Sequence, residues 1–222
     1  EMLPAEAPEN VARFIEFTVG EVPLVETDST PTASLGYYNG SRFHRVIPNF
    51  IIQAGSPEHI AHERPRGYLA DEINASALGL DRLPVILQAG EINPLLNTDS
   101  QQEFARRVLE PLYRQLGINS TEQLKTEEST IIDTLQSLTV MRLYEFEGYR
   151  YQNSYPTRAA TRGIVALAND GPNRNGPEFF ILLRDAPWLD GRYTVIGRVV
   201  EGMETADKIG SKPIHPVTPD SD

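Results

Sequence analysis

Arg45 and Gln53 are the first residues of this chain whose type and setting point to chemistry. They lie in Phe43-His44-Arg45-Val46-Ile47-Pro48-Asn49-Phe50-Ile51-Ile52-Gln53-Ala54-Gly55, a cation and an amide among large apolar side chains. A strand through this stretch points Arg45 and Gln53 to the same face, because residues an even number apart share a side. Beside Phe50 and Ile51 they describe an apolar binding surface with two polar anchors. An ordinary half-buried strand whose arginine snorkels to water fits this segment equally well. Other chemistries are narrower still. The chain has no cysteine, which excludes disulfides, thiolate catalysis and cysteine-ligated zinc. His59 and His62, with Glu58 and Glu63 beside them, are of metal-ligand type. Loop histidines without a third fixed ligand are usually solvated, so no metal and no cofactor is expected.

A second segment shifts the balance. It reads Ala168-Asn169-Asp170-Gly171-Pro172-Asn173-Arg174-Asn175-Gly176-Pro177-Glu178-Phe179-Phe180, followed by Trp188-Leu189-Asp190-Gly191-Arg192-Tyr193-Thr194-Val195-Ile196-Gly197-Arg198-Val199. Together with the arginine stretch, it closely resembles the cyclophilin family of peptidyl-prolyl isomerases. Three long patterns in the right order and spacing are far more specific than any short motif. The resemblance covers roughly residues 1 to 75 and 158 to 210, and Leu3 to Phe14 resembles the family's lead into its first helix.

The resemblance implies a set of roles. Arg45 matches the catalytic arginine, which hydrogen-bonds the substrate carbonyl and approaches the imide nitrogen. Phe50, Ile51, Phe180 and Leu189 match the wall of the proline pocket, Trp188 the tryptophan beside it, and Gln53 and Asn169 the groups holding the substrate backbone. Tyr193 stands where many members have histidine and closes the pocket edge. For Trp188 and the other aromatics, plain core packing is the competing reading. Several positions depart from the family. Asn49 replaces a glycine, and asparagine tolerates a left-handed backbone best. Ala54 replaces another glycine, and a customary glycine-rich loop is instead Pro57 to Arg66. Glu178 replaces a glutamine near the groove, where a carboxylate is able to pair with Arg45 and hold it from substrate. With Asp170 on the same side, an acidic secondary pocket is expected, favouring Lys or Arg shortly before the proline.

The elements that position these residues follow from periodicity and caps. Pro8 to Glu16 reads as a short helix with proline at its first turn and Val11, Phe14 and Ile15 on one side. Glu21 to Tyr38 reads as a loop, and Asn39-Gly40 as a turn before the arginine strand. Asp71-Glu72 resembles the family's acidic pair. Between about Leu78 and Pro156 the family pattern lapses. Ser100 to Glu103 is a capping box opening a helix with Phe104, Val108, Leu112 and Leu116 every fourth residue, bent at Pro111 and ended by Gly117. Ser120 to Gln123 opens a second helix carrying Leu124, Ile131, Leu135, Leu138 and Arg142 to Tyr144. The expected fold class is mainly β with helices: a cyclophilin-like closed antiparallel β-barrel capped by helices, plus an inserted α-helical hairpin. Residues 1–77 and 157–222 would form the discontinuous barrel domain and 78–156 the mostly helical insertion. The hairpin reads as a packing appendage or as a docking arm for a partner. Most of the family's first strand is missing before Met2, and three prolines make the far end unfit for a central strand. The natural protein is therefore expected to be longer at both ends.

Composition sets outer bounds. With 222 residues, 40% hydrophobic and 23% charged, the chain suits one folded domain with a sizeable core. A net charge of −11 argues against nucleic acid and against anionic lipid as partners. No apolar run approaches a membrane span. The absence of cysteine suits an oxidising setting, so a periplasmic or cell-envelope location is expected, with the cytoplasm as alternative. The functional expectation is a peptidyl-prolyl cis–trans isomerase acting on proline-containing peptides or unfolded protein clients. Its rivals are a proline-segment binding module without catalysis and a chaperone working through the helical segment.

Overall fold

The structure, a computed structural model, describes residues 1–20, 36–56 and 67–212. The expectations for the loop over 21–35, the histidine-bearing stretch over 57–66 and the proline-rich end over 213–222 lie outside the described residues. Five strands form one antiparallel sheet in the order β1-β2-β4-β3-β5. They are β1 (Arg45–Ile47), β2 (Ile51–Ala54), β3 (Ile164–Asn169), β4 (Asn175–Leu182) and β5 (Val195–Arg198). The expected closed barrel is not formed among the described residues. Among the described residues, β1 has no neighbour beyond β2, and β5 is met at its outer side only by residues 1–3. There Leu3 N–H donates to Ile196 O at 2.9 Å and Arg198 N–H to Glu1 O at 2.9 Å.

The arginine stretch is two strands and a turn rather than one strand. Phe50 N–H donates to Ile47 O across Pro48 and Asn49 at 3.0 Å, and Asn49 adopts φ 56°. Proline followed by a positive-φ residue is the type II pattern, so asparagine does serve the left-handed position. Arg45 and Gln53 share a face as direct cross-strand partners, not as positions along one strand.

Both faces of the sheet are covered. Alternation puts Ile51, Gln53, Phe180, Leu182, Ala166, Ile164 and Val195 on one side, and most of these belong to the buried cluster that also holds Leu3 and Ala186. On the other side, helix α1 (Pro8–Val19) packs Ala7, Val11 and Phe14 against Leu167, Ile196 and Phe179. A C-terminal helix packs Ala206, Met203 and Ile209 against Ile52 and Leu183. Helix α1 has proline in its first turn as expected but no cap from its own N-terminal neighbour. Its free amides are satisfied from sixty residues away. Glu72 accepts from Glu9 N–H at 3.1 Å, Asn10 N–H at 2.8 Å and the Asn10 side-chain amide at 2.8 Å. A carboxylate is also the right charge for a helix N-terminus.

Residues 78–156 hold helices α2 (Gln101–Phe104), α3 (Glu110–Leu116), α4 (Thr121–Thr126), α5 (Glu128–Ser137) and α6 (Val140–Glu147). Both caps form: Ser100 and Ser120 side chains accept from Glu103 N–H and Gln123 N–H. A π-helical stretch, Ala105–Leu109, joins α2 to α3 just before Pro111. Proline has no N–H to give the preceding turn, and a wider turn absorbs the defect. The expected two-helix hairpin is not what forms. The second long helix is interrupted at Glu127, between α4 and α5, and ends at Leu138, which is extended because its neighbourhood pairs with distant backbone. Val85 N–H donates to Leu138 O at 2.8 Å and Val140 N–H to Leu83 O at 2.8 Å. Helix α6 then restarts under a Thr139 cap and packs against α3, while α4 and α5 contact each other. Val85, Val108, Leu138, Val140, Leu143 and Tyr144 form a buried core of this segment.

The Glu72 cap yields a direct test. Replacing Glu72 with alanine strips three donors of their acceptor, at about 1–3 kcal/mol for each that water cannot reach. Urea unfolding is expected to show a loss of about 2–4 kcal/mol, with Glu72→Gln losing less because one acceptor oxygen remains.

Candidate active site

The register of three strands builds the site. Arg45 pairs with Gln53, and Gln53 with Phe180. The cation, the amide and the ring therefore stand in one row on the same side of the sheet. Gln53 is the hinge of the row. Its carbonyl oxygen accepts from Arg45 Nη1 at 3.1 Å, and its amide nitrogen donates to Glu178 Oε2 at 2.6 Å. Glu178 lies two residues before Phe180 on the same strand and also approaches His44 Nε2 at 3.4 Å. It makes no ion pair with Arg45, since the Gln53 amide stands between them. Gln53 is only 8% exposed, so its two bonds fix its orientation, while Arg45 is exposed.

The apolar wall assembles around Phe180. Ile51 and Phe180 are buried and pack with partly buried Phe50, Trp188, Leu189 and Tyr193. Tyr193 meets Phe180 edge-to-face with ring centres 5.3 Å apart, and Phe50 meets Trp188 at 5.7 Å. A small cavity on this side is lined by Ala166, Phe180, Leu182, Leu189, Tyr193 and Val195. Asn169 is placed at the end of β3, next to a register shift. Its side chain is spent inside the protein, donating to Arg192 O at 2.9 Å and accepting from Gly171 N–H at 3.2 Å. It ties together the two loops that border the site. Asp170 lies on the same border but accepts from Tyr68 O–H at 2.8 Å, and Arg174 stacks over that ring at 4.6 Å. The acidic character expected there thus rests on Glu178 more than on Asp170.

Buried polar groups hold these loops. Asp71 accepts from Asn173 N–H at 2.7 Å and from the Asn175 amide at 3.0 Å, while Thr194 Oγ1 accepts from Asn175 and from Glu72 N–H. Burial raises the pKa of Asp71, opposed by the hydrogen bonds from Asn173 and Asn175. At the other end, Tyr37 O–H donates to Gly55 O at 3.1 Å and Tyr38 O–H to Pro177 O at 2.7 Å. Gly55 has φ 86°, and a Cβ there would lie 2.8 Å from Pro177 O. Only glycine fits.

The loop carrying Trp188 to Tyr193 leans on the 78–156 segment. Arg192, next to Tyr193, pairs with Glu147 of α6 at 2.9 Å and sits over the Tyr144 and Tyr149 rings at 5.0 and 5.6 Å. Burial raises the Glu147 pKa, opposed by Arg192. Tyr151 O–H donates to Gly191 O at 3.0 Å. The 3-10 turns Pro94–Leu96 and Pro187–Leu189 are also in contact. Arg184, which the motifs did not single out, stacks against Trp188 and Phe50 at 5.1 and 5.9 Å. No local sequence pattern marks Arg184 or Arg192, since both are defined by rings from distant segments.

Fold and site together define an antiparallel sheet protein presenting a guanidinium, an amide and an aromatic pocket in one row. The family model described as "Cyclophilin type peptidyl-prolyl cis-trans isomerase/CLD" matches residues 1–221, and the chain belongs to that family. It is 52% identical over 196 residues to "Peptidyl-prolyl cis-trans isomerase-like 1" of Aspergillus niger, covering 88% of this chain and 74% of that protein. It is 44% identical over 211 residues to "Peptidyl-prolyl cis-trans isomerase ppi1" of Schizosaccharomyces pombe, covering 92% and 86%. The human "Peptidyl-prolyl cis-trans isomerase-like 3" is 40% identical over 73 residues, and the match spans 45% of its length. A cyclophilin-type isomerase of Cryptosporidium parvum shares the fold, with TM-score 0.50, 19% identity and coverage of 97% of this chain and 78% of that one.

Two measurements test this scaffold. Arg192→Ala leaves Glu147 without its cation and is expected to cost about 2–4 kcal/mol in urea unfolding. That is below the cost for a sealed pair, because both groups still see some solvent. Asp190, next to Leu189, accepts from Ala160 N–H at 2.6 Å. Burial pushes its pKa from 3.8 up to about 6, the Ala160 N–H opposing. Between those values the folded chain holds a proton that the unfolded chain has lost, so stability falls as pH rises through the window. Asp190→Asn keeps an acceptor for Ala160 without titrating. Its melting temperature should gain on the parent's from pH 4 to pH 6.5; a constant gap would contradict this.

Proposed function

We propose that this chain is a peptidyl-prolyl cis–trans isomerase acting on X–Pro bonds of peptides and unfolded proteins without a cofactor. The observation that carries the reading is the row Arg45–Gln53–Phe180 beside the Phe50, Ile51, Leu189 and Tyr193 wall. Rotation about an X–Pro bond faces a barrier of roughly 18–20 kcal/mol, because amide resonance must be broken. No covalent bond is made or cut, so neither nucleophile nor metal is needed. The apolar wall seats the pyrrolidine ring. Arg45 extends from the same face to hydrogen-bond the substrate carbonyl and to meet the imide nitrogen as its lone pair reappears. Removing about 5 kcal/mol accelerates rotation several thousand-fold, within reach of one charge-assisted hydrogen bond in a water-poor site and apolar grip on a twisted conformer.

Gln53 has two roles in this account. It orients the guanidinium through its carbonyl oxygen, and it keeps Glu178 from neutralising that charge. The rival of a silent binding module required Glu178 to disarm Arg45, and the bonding order Arg45–Gln53–Glu178 supports an armed arginine. Residues 1–77 and 157–222 act as the isomerase unit, with 78–156 inserted in it. Contacts of that segment with the Trp188 to Tyr193 loop support a buttressing role over a free docking arm.

Catalysis by Arg45 has a direct test. Arg45→Ala is expected to lower kcat/KM for a prolyl peptide about 100-fold, the scale of one preorganised charge-stabilising donor, with an unchanged unfolding midpoint. An unchanged rate would leave binding as the function.

A further inference from the structure

We propose that Arg184 reads a carboxylate on the substrate chain after the proline, giving the site a preference for peptides that are basic before the proline and acidic after it. The inference rests on the isomerase reading for where the proline sits. Arg184 is exposed in the bend two residues beyond the end of β4, and its guanidinium lies 5.1 Å from the Trp188 ring and 5.9 Å from the Phe50 ring. The two rings are 5.7 Å from each other. A cation held by ring faces is fixed in place while its five N–H donors stay available.

Its charge is not spent on the described residues. Among the described residues, Arg184 has no salt-bridge partner. Its neighbour Asp185 accepts instead from Arg162 N–H at 2.8 Å, and Arg162 is itself paired with Asp207. In a chain of net charge −11, an unpaired arginine against the pocket wall is not explained by packing into a basic surface.

Placement along β4 and the bend that follows it gives the direction. Glu178 lies two residues before Phe180, and Arg184 four after it. At about 3.3 Å per residue the Cα positions of Glu178 and Arg184 are separated by no more than about 20 Å, with Phe180 between them along the chain. An extended peptide crossing that span covers about six residues. With the Glu178 end taking the residues before the proline, the Arg184 end takes those after it. The charges are of opposite sign, so a peptide of matching polarity is attracted at both ends and a reversed one repelled at both.

The test uses the whole chain and peptides sharing a central Ala-Pro, with Glu, Gln or Lys at the second or third position after the proline. NMR exchange spectroscopy reads isomerisation without a coupling protease, and fluorescence anisotropy of the same peptides reads binding. At low salt the Glu peptide should exceed the Gln peptide about two- to fivefold in kcat/KM, the range of one exposed ion pair, with Lys below both. The Glu-to-Gln ratio should fall to about one in Arg184→Gln, invert in Arg184→Glu, and shrink at 0.5 M salt. Arg184→Lys, which keeps charge but loses the planar stack, should fall between. A ratio near one in the parent, or the same ratio in Arg184→Gln, overturns the inference while leaving the isomerase reading intact if the Gln peptide turns over. If no peptide is isomerised, that reading fails instead, and the anisotropy Kd ratios decide for or against Arg184. Absence of binding to every peptide overturns both.

Discussion

The pairing of β2 between β1 and β4 is the constraint on which the site depends. A slip of one residue would turn Gln53 away and bring Ile52 into the row, because side chains alternate. The register is guarded from both sides: Ile51 and Ile52 are 4% and 0% exposed on opposite faces of the same strand. Neither is able to exchange sides without leaving an apolar residue in the wrong cluster. The Pro48–Asn49 turn closes one end of the hairpin, and the Tyr37 and Tyr38 hydroxyls hold Gly55 and Pro177 at the other. Position therefore follows from backbone pairing, and Arg45 needs no ion pair to stay in the row with Gln53 and Phe180.

The remaining walls belong to loops, and loops need outside support to hold a geometry. Asp71, Asn173, Asn175 and Thr194 supply it on one side through a buried hydrogen-bond network, and Glu72 joins that network to the start of α1. On the other side the Trp188 to Tyr193 loop is held by Arg192 among Glu147, Tyr144 and Tyr149, and by Tyr151 on Gly191. The segment farthest from the family pattern thus carries the support of a pocket wall. Charges near the site are likewise sorted rather than pooled. Gln53 takes up the Glu178 carboxylate on the Arg45 side, and the aromatic faces hold Arg184 at the far end.

How much of this was readable in the chain depends on how local each feature is. The left-handed Asn49, helix α1 with Pro8 in its first turn, and the serine caps at 100 and 120 are specified by a few neighbouring residues, and all formed. The spacing of Arg45, Gln53 and Phe180 came through the motifs, though the shared face arises from pairing across a turn and not along a strand. Two expectations failed for a common reason. The apolar periodicity from Leu124 to Tyr144 is continuous on paper, yet Leu138 and Thr139 are drawn out of the helix by backbone bonds to residues 83 to 85, which no local pattern contains. Closure of the barrel is equally non-local. Arg184 and Arg192 were missed because an arginine acquires its role from rings that only the fold brings near.

The central claim is that a prolyl bond rotates while its ring sits against Phe180 under Arg45. NMR exchange spectroscopy of a neutral Ala-Pro peptide, with protein far below stoichiometric amounts, tests it most directly when paired with amide shifts of the labelled protein. The account predicts cis–trans exchange cross-peaks and shifts centred on Gln53, Phe180 and Tyr193. Binding without exchange peaks, or shifts confined to the helices of residues 101–147, would contradict it.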